Sequence, residues 1–197
     1  MLGNFKDGDL AQWKHKIFNN KTVYTIIREP GIGGVLKAQS SQSASGMFRE
    51  MSVDLNKTPC LHWSWKIDNI LNGLDEKTKK GDDYPARVYV VLSGGITIWN
   101  TRTISYVWSS NKNNIGHSWP NAFTDKAMII SIQGGEQKKG RWVREVRNVK
   151  NDFYQYFDRN INKIDGVALM TDTDNSGQQA TSYYGNIYFS KTCQADK

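Results

Sequence analysis

The sequence predicts an all-β protein, an antiparallel β-sandwich with one short capping helix. Its apolar runs are short and rich in β-branched and aromatic residues, and Gly, Asn, Asp and Ser separate them at close intervals. That combination is typical of two packed antiparallel sheets. The length of 197 residues fits one domain with a buried core. We therefore expect a single β-sandwich domain over residues 1–197.

Eleven strands are expected from the alternation of apolar and polar residues. In the strand at 60–67, Trp63 and Trp65 alternate with polar residues, so both should face the core. The strand at 86–93 is largely apolar on both faces, which predicts a central position. The complete set lies near residues 14–18, 22–28, 34–40, 46–55, 60–67, 86–93, 104–109, 127–133, 142–148, 165–171 and 184–190.

One helix is predicted at 149–158, where Val149, Phe153, Tyr156 and Phe157 form an apolar stripe at helical spacing. The longest irregular stretches are 68–85 and 110–126. Irregular segments of that length within a compact domain are often functional.

The charge balance has two interpretations, an anionic partner or a charge that serves solubility, of which solubility is the favoured one. The chain has 26 basic and 19 acidic residues, a net charge of +7, although the basic residues are dispersed. The nearest approaches to clusters are Lys77, Lys79 and Lys80, then Lys138, Lys139 and Arg141. The sequence contains no RNA-binding motif, which argues against a nucleic-acid partner. It also lacks the GxSxG nucleophile elbow of many serine hydrolases and the GxxxxGK[ST] phosphate-binding loop of P-loop NTPases, which argues against both of these enzyme classes. No run of about 18 apolar residues exists, so no transmembrane helix is expected.

The two cysteines, Cys60 and Cys193, are too few for a disulfide scaffold. A single bridge between an early strand and the C-terminal tail is one interpretation. Two free thiols are the favoured one.

Two acidic segments are the strongest candidate sites. In the first, Asp82 and Asp83 precede Arg87, so carboxylates and a guanidinium could hold a cation or sugar hydroxyls. In the second, Asp172 and Asp174 begin a pattern like that of a calcium loop, but position 12 is Tyr183 rather than Glu, which excludes an EF-hand. A simpler calcium site at Asp172 and Asp174 is the hypothesis, and turns rich in Asp and Gly are the alternative for both segments.

Aromatic residues make up 12% of the chain, and some could stack on sugar rings. Trp108 and Trp119 lie near the 110–126 stretch and are predicted to be surface rings. Arg144 and Arg147 are three residues apart on a predicted strand, so they should point to opposite faces. The candidates for a glycan groove are Trp63, Trp65, Trp99, Trp108, Trp119, Trp142, Tyr183 and Tyr184.

Several ordered blocks together resemble the bacterial family catalogued as domain of unknown function 3047. The blocks span 61–67, 81–91, 106–108, 145–149 with Asp152, 170–175 and 183–187. The resemblance extends from about Phe5 to Phe189 and departs from the family around Asp158, where a Gly-containing turn is expected. It implies an exported protein in its mature form without a signal peptide, and a jelly-roll sandwich similar to many carbohydrate-binding modules. It also favours a site role for the acidic segments over simple turns.

The leading hypothesis is an exported, non-catalytic glycan-binding protein, with an acidic polysaccharide as the ligand that fits the net charge. One alternative is a glycan-cleaving enzyme that uses Asp residues as acid and base, and another is a secreted factor that binds proteins or lipid headgroups. The predicted ligand-binding residues are Asp82, Asp83, Arg87, Trp108, Arg147, Asp172, Asp174, Tyr183 and Tyr184. The hypothesis requires the two acidic segments to converge in space.

Overall fold

The computed structural model describes residue 5 and residues 10–95 and 101–194, which form two packed β-sheets. Sheet I has seven strands in the order β1-β4-β11-β6-β7-β9-β8. Its strands are β1 (Lys14–Asn19), β4 (Ala44–Asp54), β6 (Ala86–Leu92), β7 (Arg102–Ser109), β8 (Ser118–Asn121), β9 (Thr124–Gly134) and β11 (Lys163–Met170). The predicted all-β sandwich is thereby confirmed, and β6 lies at the centre of sheet I as its two apolar faces predict.

Sheet II has the order β10-β5-β12-β3-β2, and β13 pairs with β5 beside this path. Its strands are β2 (Val23–Glu29), β3 (Gly33–Ser41), β5 (Cys60–Ile67), β10 (Val143–Asn148), β12 (Gln179–Tyr184) and β13 (Tyr188–Ser190). The described strand pairs are antiparallel apart from β7 with β9, which run parallel. The single strand predicted at 184–190 is therefore wrong, because β12 ends at Tyr184 and β13 begins at Tyr188.

Aromatic rings fill the space between the sheets. Trp63 and Trp65 of β5 are buried, as their alternation predicts. The ring centroid of Trp63 lies 5.2 Å from that of Tyr106 on β7, and Trp65 lies 5.8 Å from Trp108. These contacts cross from sheet II to sheet I and fix the two sheets against each other.

The predicted helix is confirmed as α1 (Val149–Phe157). The side chain of Asn148 caps it by accepting a hydrogen bond from the backbone N–H of Asn151 at 3.0 Å. Val149 and Phe153 bury the apolar stripe. The helix ends at Asp158, whose φ of 49° is a left-handed conformation that glycine adopts most readily. Asp therefore takes the place where the family resemblance leads us to expect glycine. Among the described residues, no helix is long and apolar enough to span a membrane.

Cys60 and Cys193 form a disulfide, so the expectation of two free thiols is wrong. The two cysteines meet because two strands that are far apart in sequence, β5 and β13, are paired. Ser190 of β13 lies opposite Cys60 of β5, which brings the C-terminal tail alongside the start of β5. The two Cα atoms are 5.1 Å apart.

The stretch 110–126, predicted to be irregular, contains a 3-10 turn at Lys112–Asn114 and the edge strand β8. Strand β8 includes Pro120 and lies at the border of sheet I, where a missing backbone N–H is tolerated. Trp119 on β8 is buried, which contradicts its predicted surface position.

Candidate functional site

The two predicted acidic segments converge at one end of the sandwich. Strands β6 and β11 are antiparallel, and Met170 lies opposite Arg87. The residues that follow β11 therefore run beside those that precede β6. Asp172 and Asp82 meet at Arg87, whose Nη2 lies 2.9 Å from Asp172 Oδ2 and 3.2 Å from Asp82 Oδ1.

Arg87 is the centre of this group, and it is buried with both of its carboxylate partners. Its guanidinium also donates to the carbonyl oxygen of Asp82 and to the hydroxyl of Tyr89 at 2.9 Å. It lies 4.1 Å above the centroid of the Tyr84 ring. Every one of these contacts is internal, so the guanidinium joins the segment before β6 to the segment after β11.

The electrostatics of the pair follow from burial and mutual attraction. Burial raises the pKa of Asp172 above its ordinary value, and the adjacent Arg87 opposes that rise. Burial alone would lower the pKa of Arg87, but Asp172, Tyr89 and Asp82 raise it above its ordinary value. Arg87 therefore stays protonated, and its charge favours an ionised partner.

Asp83 and Asp174 complete the acidic group. Asp83 accepts hydrogen bonds from the side-chain amide of Asn175 at 3.1 Å and from the backbone N–H of Ser176 at 2.6 Å. Asp174 is partly exposed and accepts a bond from Asn19 at 3.2 Å. One carboxylate oxygen each of Asp83, Asp172 and Asp174 lies within 4.8 Å of the others. Oxygen donors at that spacing fit a calcium ion, and the group adds Asp83 to the two predicted ligands.

The acid–base pair of the enzyme alternative has little room for a substrate. Asp82 and Asp172 both contact the same guanidinium nitrogen of Arg87, and both are buried. A glycosidic oxygen would have to replace that nitrogen to lie between the two carboxylates.

Two predicted stacking rings are closed to solvent. Trp108 is fully buried, since it faces inward with Ile104 and Tyr106 on β7, and its Nε1 donates to the carbonyl of Gly135 at 3.1 Å. Tyr184 is fully buried and donates to the carbonyl of Met170 at 2.6 Å. The predicted surface position of Trp108 is therefore wrong. Trp99 lies outside the described residues.

Arg147 lies beside α1, with its side chain partly exposed, rather than with the acidic group. It forms a two-point contact with Asp152, at 3.0 Å from Nε and 2.5 Å from Nη2. The hydroxyl of Tyr106 donates to the same carboxylate at 2.6 Å. Arg144 pairs across from Ser64 and Arg147 from Leu61, so the two arginines point to opposite faces, as their spacing predicts.

A second candidate site is an open groove on the outer face of sheet II, which we call the basic groove. It has a volume of about 680 Å³ and lies between β10, β5 and the β2–β3 turn. The side chains that define it are Ser64, Lys138, Arg141, Trp142, Arg144 and Asn186. Among the described residues that line it, three are cationic and none is acidic.

Trp142 forms an ordered wall of the basic groove. Its Nε1 donates to Glu29 at 3.3 Å, and Glu29 also forms an ion pair with Lys66. The hydrogen bond from Lys66 is the main cause that holds the pKa of Glu29 below its ordinary value; burial opposes it, and the bond from Trp142 adds to it. The ammonium of Lys66 lies 4.2 Å from the centroid of Tyr183, a predicted ligand residue that is buried beside Trp142.

Gly185 allows this wall to form. A Cβ atom at position 185 would lie 2.2 Å from Ser64 Oγ and 3.3 Å from Cζ3 of Trp142. The absence of a side chain therefore lets the indole approach the floor of the groove. The sequence contains a clue to this site, because the basic cluster Lys138, Lys139 and Arg141 runs directly into Trp142.

Solved structures of low sequence identity align with this chain over most of its length. A thermostable cellulase derived from the Cel12A enzyme of Rhodothermus marinus aligns with a TM-score of 0.50 and 10% identity, over 91% of this chain and 96% of the cellulase. A family 11 carbohydrate-binding module from Clostridium thermocellum has a TM-score of 0.49 and 9% identity, over 96% and 94%. The xyloglucanase domain of NopAA from Sinorhizobium fredii has a TM-score of 0.47 and 11% identity, over 93% of each chain. At 10% identity the similarity to the cellulase concerns the fold alone.

No curated protein matches the chain by sequence. The family model described as "Protein of unknown function (DUF3047)" matches residues 11–188, which confirms the resemblance inferred from the ordered sequence blocks. The chain therefore belongs to the DUF3047 family.

Proposed function

We propose that this protein is an exported glycan-binding module whose basic groove holds an acidic polysaccharide. The observation that carries the proposal is the composition of the groove, in which one indole ring stands beside three cations, a hydroxyl and an amide. Its volume of about 680 Å³ is within the range of small-molecule sites.

Each part of the groove has a chemical role toward such a ligand. The apolar C–H face of a sugar ring packs on the flat ring of Trp142. Ser64 and Asn186 offer hydrogen bonds to sugar hydroxyls. Arg141 and Arg144 offer planar guanidinium groups, which bind carboxylate or sulfate at two points. Three cationic residues line the groove and give it a positive charge, so an acidic glycan fits it better than a neutral one.

The fold supports the proposal at a general level. The Rhodothermus marinus structure is a cellulase, so a two-sheet sandwich of this kind can carry a polysaccharide site. The Cys60–Cys193 disulfide supports export, because disulfides persist chiefly in oxidising compartments.

Calcium at the acidic group is a separate prediction within this proposal. The ion would bind Asp83, Asp172 and Asp174, of which Asp174 is the one open to solvent. It would have to compete with Arg87 for Asp172 and with the amides of 175 and 176 for Asp83. We therefore assign calcium a stabilising role and place the glycan in the basic groove.

Titration calorimetry with a uronic-acid oligosaccharide and with a neutral gluco-oligosaccharide tests the proposal. We expect binding of the acidic ligand, weakening as salt screens the cations. Trp142→Ala should weaken binding at least tenfold, since a buried aromatic contact contributes about 1.5–3 kcal/mol. Tyr154→Ala, which removes an exposed ring on α1, is the matched control and should bind normally.

Two results would overturn the proposal. One is no binding to any acidic or neutral glycan. The other is binding that Trp142→Ala leaves intact and a folded Asp172→Asn variant abolishes, since this would locate the ligand at the acidic group.

A further inference from the structure

The end of β1 and the start of β2 expose three large apolar side chains that are close in sequence. Ile17, Phe18 and Val23 are 55%, 61% and 52% exposed, and we call them the apolar tip. They are three of the six exposed large apolar residues in the described part of the chain, and they lie within seven positions of sequence. Such a concentration is unusual unless another surface covers it.

A backbone irregularity explains why two consecutive apolar residues both face solvent. In the pairing of β1 with β4, Ile17 lies opposite Ser45 and Asn19 lies opposite Ala44. Phe18 is thus an extra residue in a β-bulge. A bulge interrupts the alternation of side chains and redirects the residue within it. The exposure of Phe18 is therefore a property of the strand and not of a loose loop.

The segment that follows the bulge is tied firmly to the sandwich. Asn20 has a left-handed φ of 55°, and its side chain donates to the carbonyl of Gln42 at 3.0 Å. Thr22 is fully buried, bonds to Ser43 Oγ at 3.0 Å and donates to the carbonyl of Thr171 at 3.1 Å. The fold therefore holds the apolar tip in its exposed position.

The charge around the tip is positive. Lys14, Lys16 and Lys21 are exposed, and Lys16 Nζ lies 5.2 Å from the centroid of the Phe18 ring. Residues 10–28 contain no acidic residue in the sequence. Two acidic residues lie close to this region. Glu50 forms an ion pair with Lys14 at 3.1 Å, and Asp174 accepts a hydrogen bond from the side chain of Asn19. Lys16 and Lys21 thus form the cationic border of the tip.

We propose that the apolar tip docks on an anionic phospholipid surface. Ile17, Phe18 and Val23 would enter the boundary between headgroups and acyl chains, while Lys16 and Lys21 would contact the phosphates. Lysine suits this border because its apolar stem lies along the inserted surface while its ammonium stays in water. Charge complementarity identifies the partner, since a neutral apolar partner would gain nothing from the lysines.

The docked protein would keep the basic groove accessible. Strand β2 runs from Val23 at the tip to Glu29, a distance of about 20 Å for seven residues. The turn after Glu29 lines the groove. The two surfaces therefore lie at opposite ends of β2, and the membrane proposal is independent of the glycan proposal.

Co-sedimentation with vesicles tests the inference. Vesicles of phosphatidylcholine with about one-third phosphatidylglycerol are compared with pure phosphatidylcholine, in EGTA so that no calcium bridge contributes. We expect binding to the anionic vesicles only. Ile17→Ser with Phe18→Ser should weaken it at least tenfold, and Lys16→Gln or Lys21→Gln about fivefold each.

Phe123→Ser is the matched control, because Phe123 is 56% exposed on another part of the surface, and it should bind vesicles normally. Trp142→Ala should also bind vesicles normally, which separates this test from that of the glycan groove. No binding to anionic vesicles would overturn the inference, as would equal losses in the tip variant and the Phe123 control. Self-association of the wild type that the tip variant abolishes, with no vesicle binding, would assign the tip to a second copy instead.

Discussion

The Arg87–Asp172 ion pair should contribute far more to stability than an ion pair on the surface. Asp172→Asn preserves the shape of the side chain and the oxygen that accepts the backbone N–H of Tyr84. It removes the charge that lies 2.9 Å from the guanidinium. Among the described residues, Asp82 then remains as the carboxylate paired with the buried Arg87.

The size of the effect follows from burial. Removing one partner of a buried ion pair typically costs about 3–5 kcal/mol, because the buried charge that remains loses compensation, and here Arg87 loses one of its two carboxylates. For a chain of this length each kcal/mol shifts Tm by about 2–4 °C, so we expect a fall of about 6–20 °C. Glu136→Gln is the control, since Glu136 pairs with Lys139 at 2.7 Å on the surface. That change should cost about 1 kcal/mol or less.

Urea denaturation followed by tryptophan fluorescence measures both variants. A loss in Asp172→Asn no larger than that in Glu136→Gln would refute this reasoning. The folded Asp172→Asn variant should still bind glycan in the basic groove, which distinguishes a stabilising role from a ligand-binding one.

Three further predictions concern the disulfide, the cation and a buried acid. Replacing Cys60 and Cys193 with Ser should lower the free energy of unfolding by about 2–4 kcal/mol, measured by urea denaturation; an unchanged midpoint would contradict it. Calcium should raise Tm relative to EGTA in the wild type but not in Asp174→Asn, and equal Tm values in calcium and EGTA would count against the cation site. Burial raises the pKa of Glu145, despite hydrogen bonds from Gln133 and Trp65. The protonated Glu145 carboxyl therefore contributes its full stabilisation below about pH 4.3, the pKa of Glu in the unfolded chain. This contribution is lost as the pH rises through the pKa of Glu145 in the folded protein. Glu145→Gln should gain stability relative to the wild type between pH 4.5 and 7, and a constant difference across that window would exclude the effect.

The strands and the helix were largely predictable because burial on one face leaves a period in the sequence. The two-residue period of β5 and the apolar stripe of α1 both appear as predicted. Strand β8 was missed because it is four residues long and contains Pro120. Such a segment has the composition of a turn, and only its pairing with β9 makes it a strand.

Contacts between distant parts of the chain set the limits of prediction. The convergence of Asp82 with Asp172 depends on the pairing of β6 with β11, which no local pattern contains. The disulfide depends in the same way on β13 beside β5. For Trp108, the alternation with Ile104 and Tyr106 was visible in the sequence, but the identity of the inward face was decided by the sheet opposite.

Only part of the basic groove could be predicted from the sequence. The run of basic residues before Trp142 is local and could be read directly. Its neighbours Ser64 and Asn186 join it through the β10–β5 pairing and the approach permitted by Gly185. A cluster of cations therefore became a candidate site only when the outer face of sheet II was assembled.

A crystal structure with a bound uronic-acid trisaccharide tests the central claim most directly. We predict a sugar ring stacked on Trp142 and a ligand carboxylate within hydrogen-bond distance of Arg141 or Arg144. A trisaccharide bound instead against Asp82, Asp172 and Arg87, with the basic groove free of sugar, would contradict the proposed function.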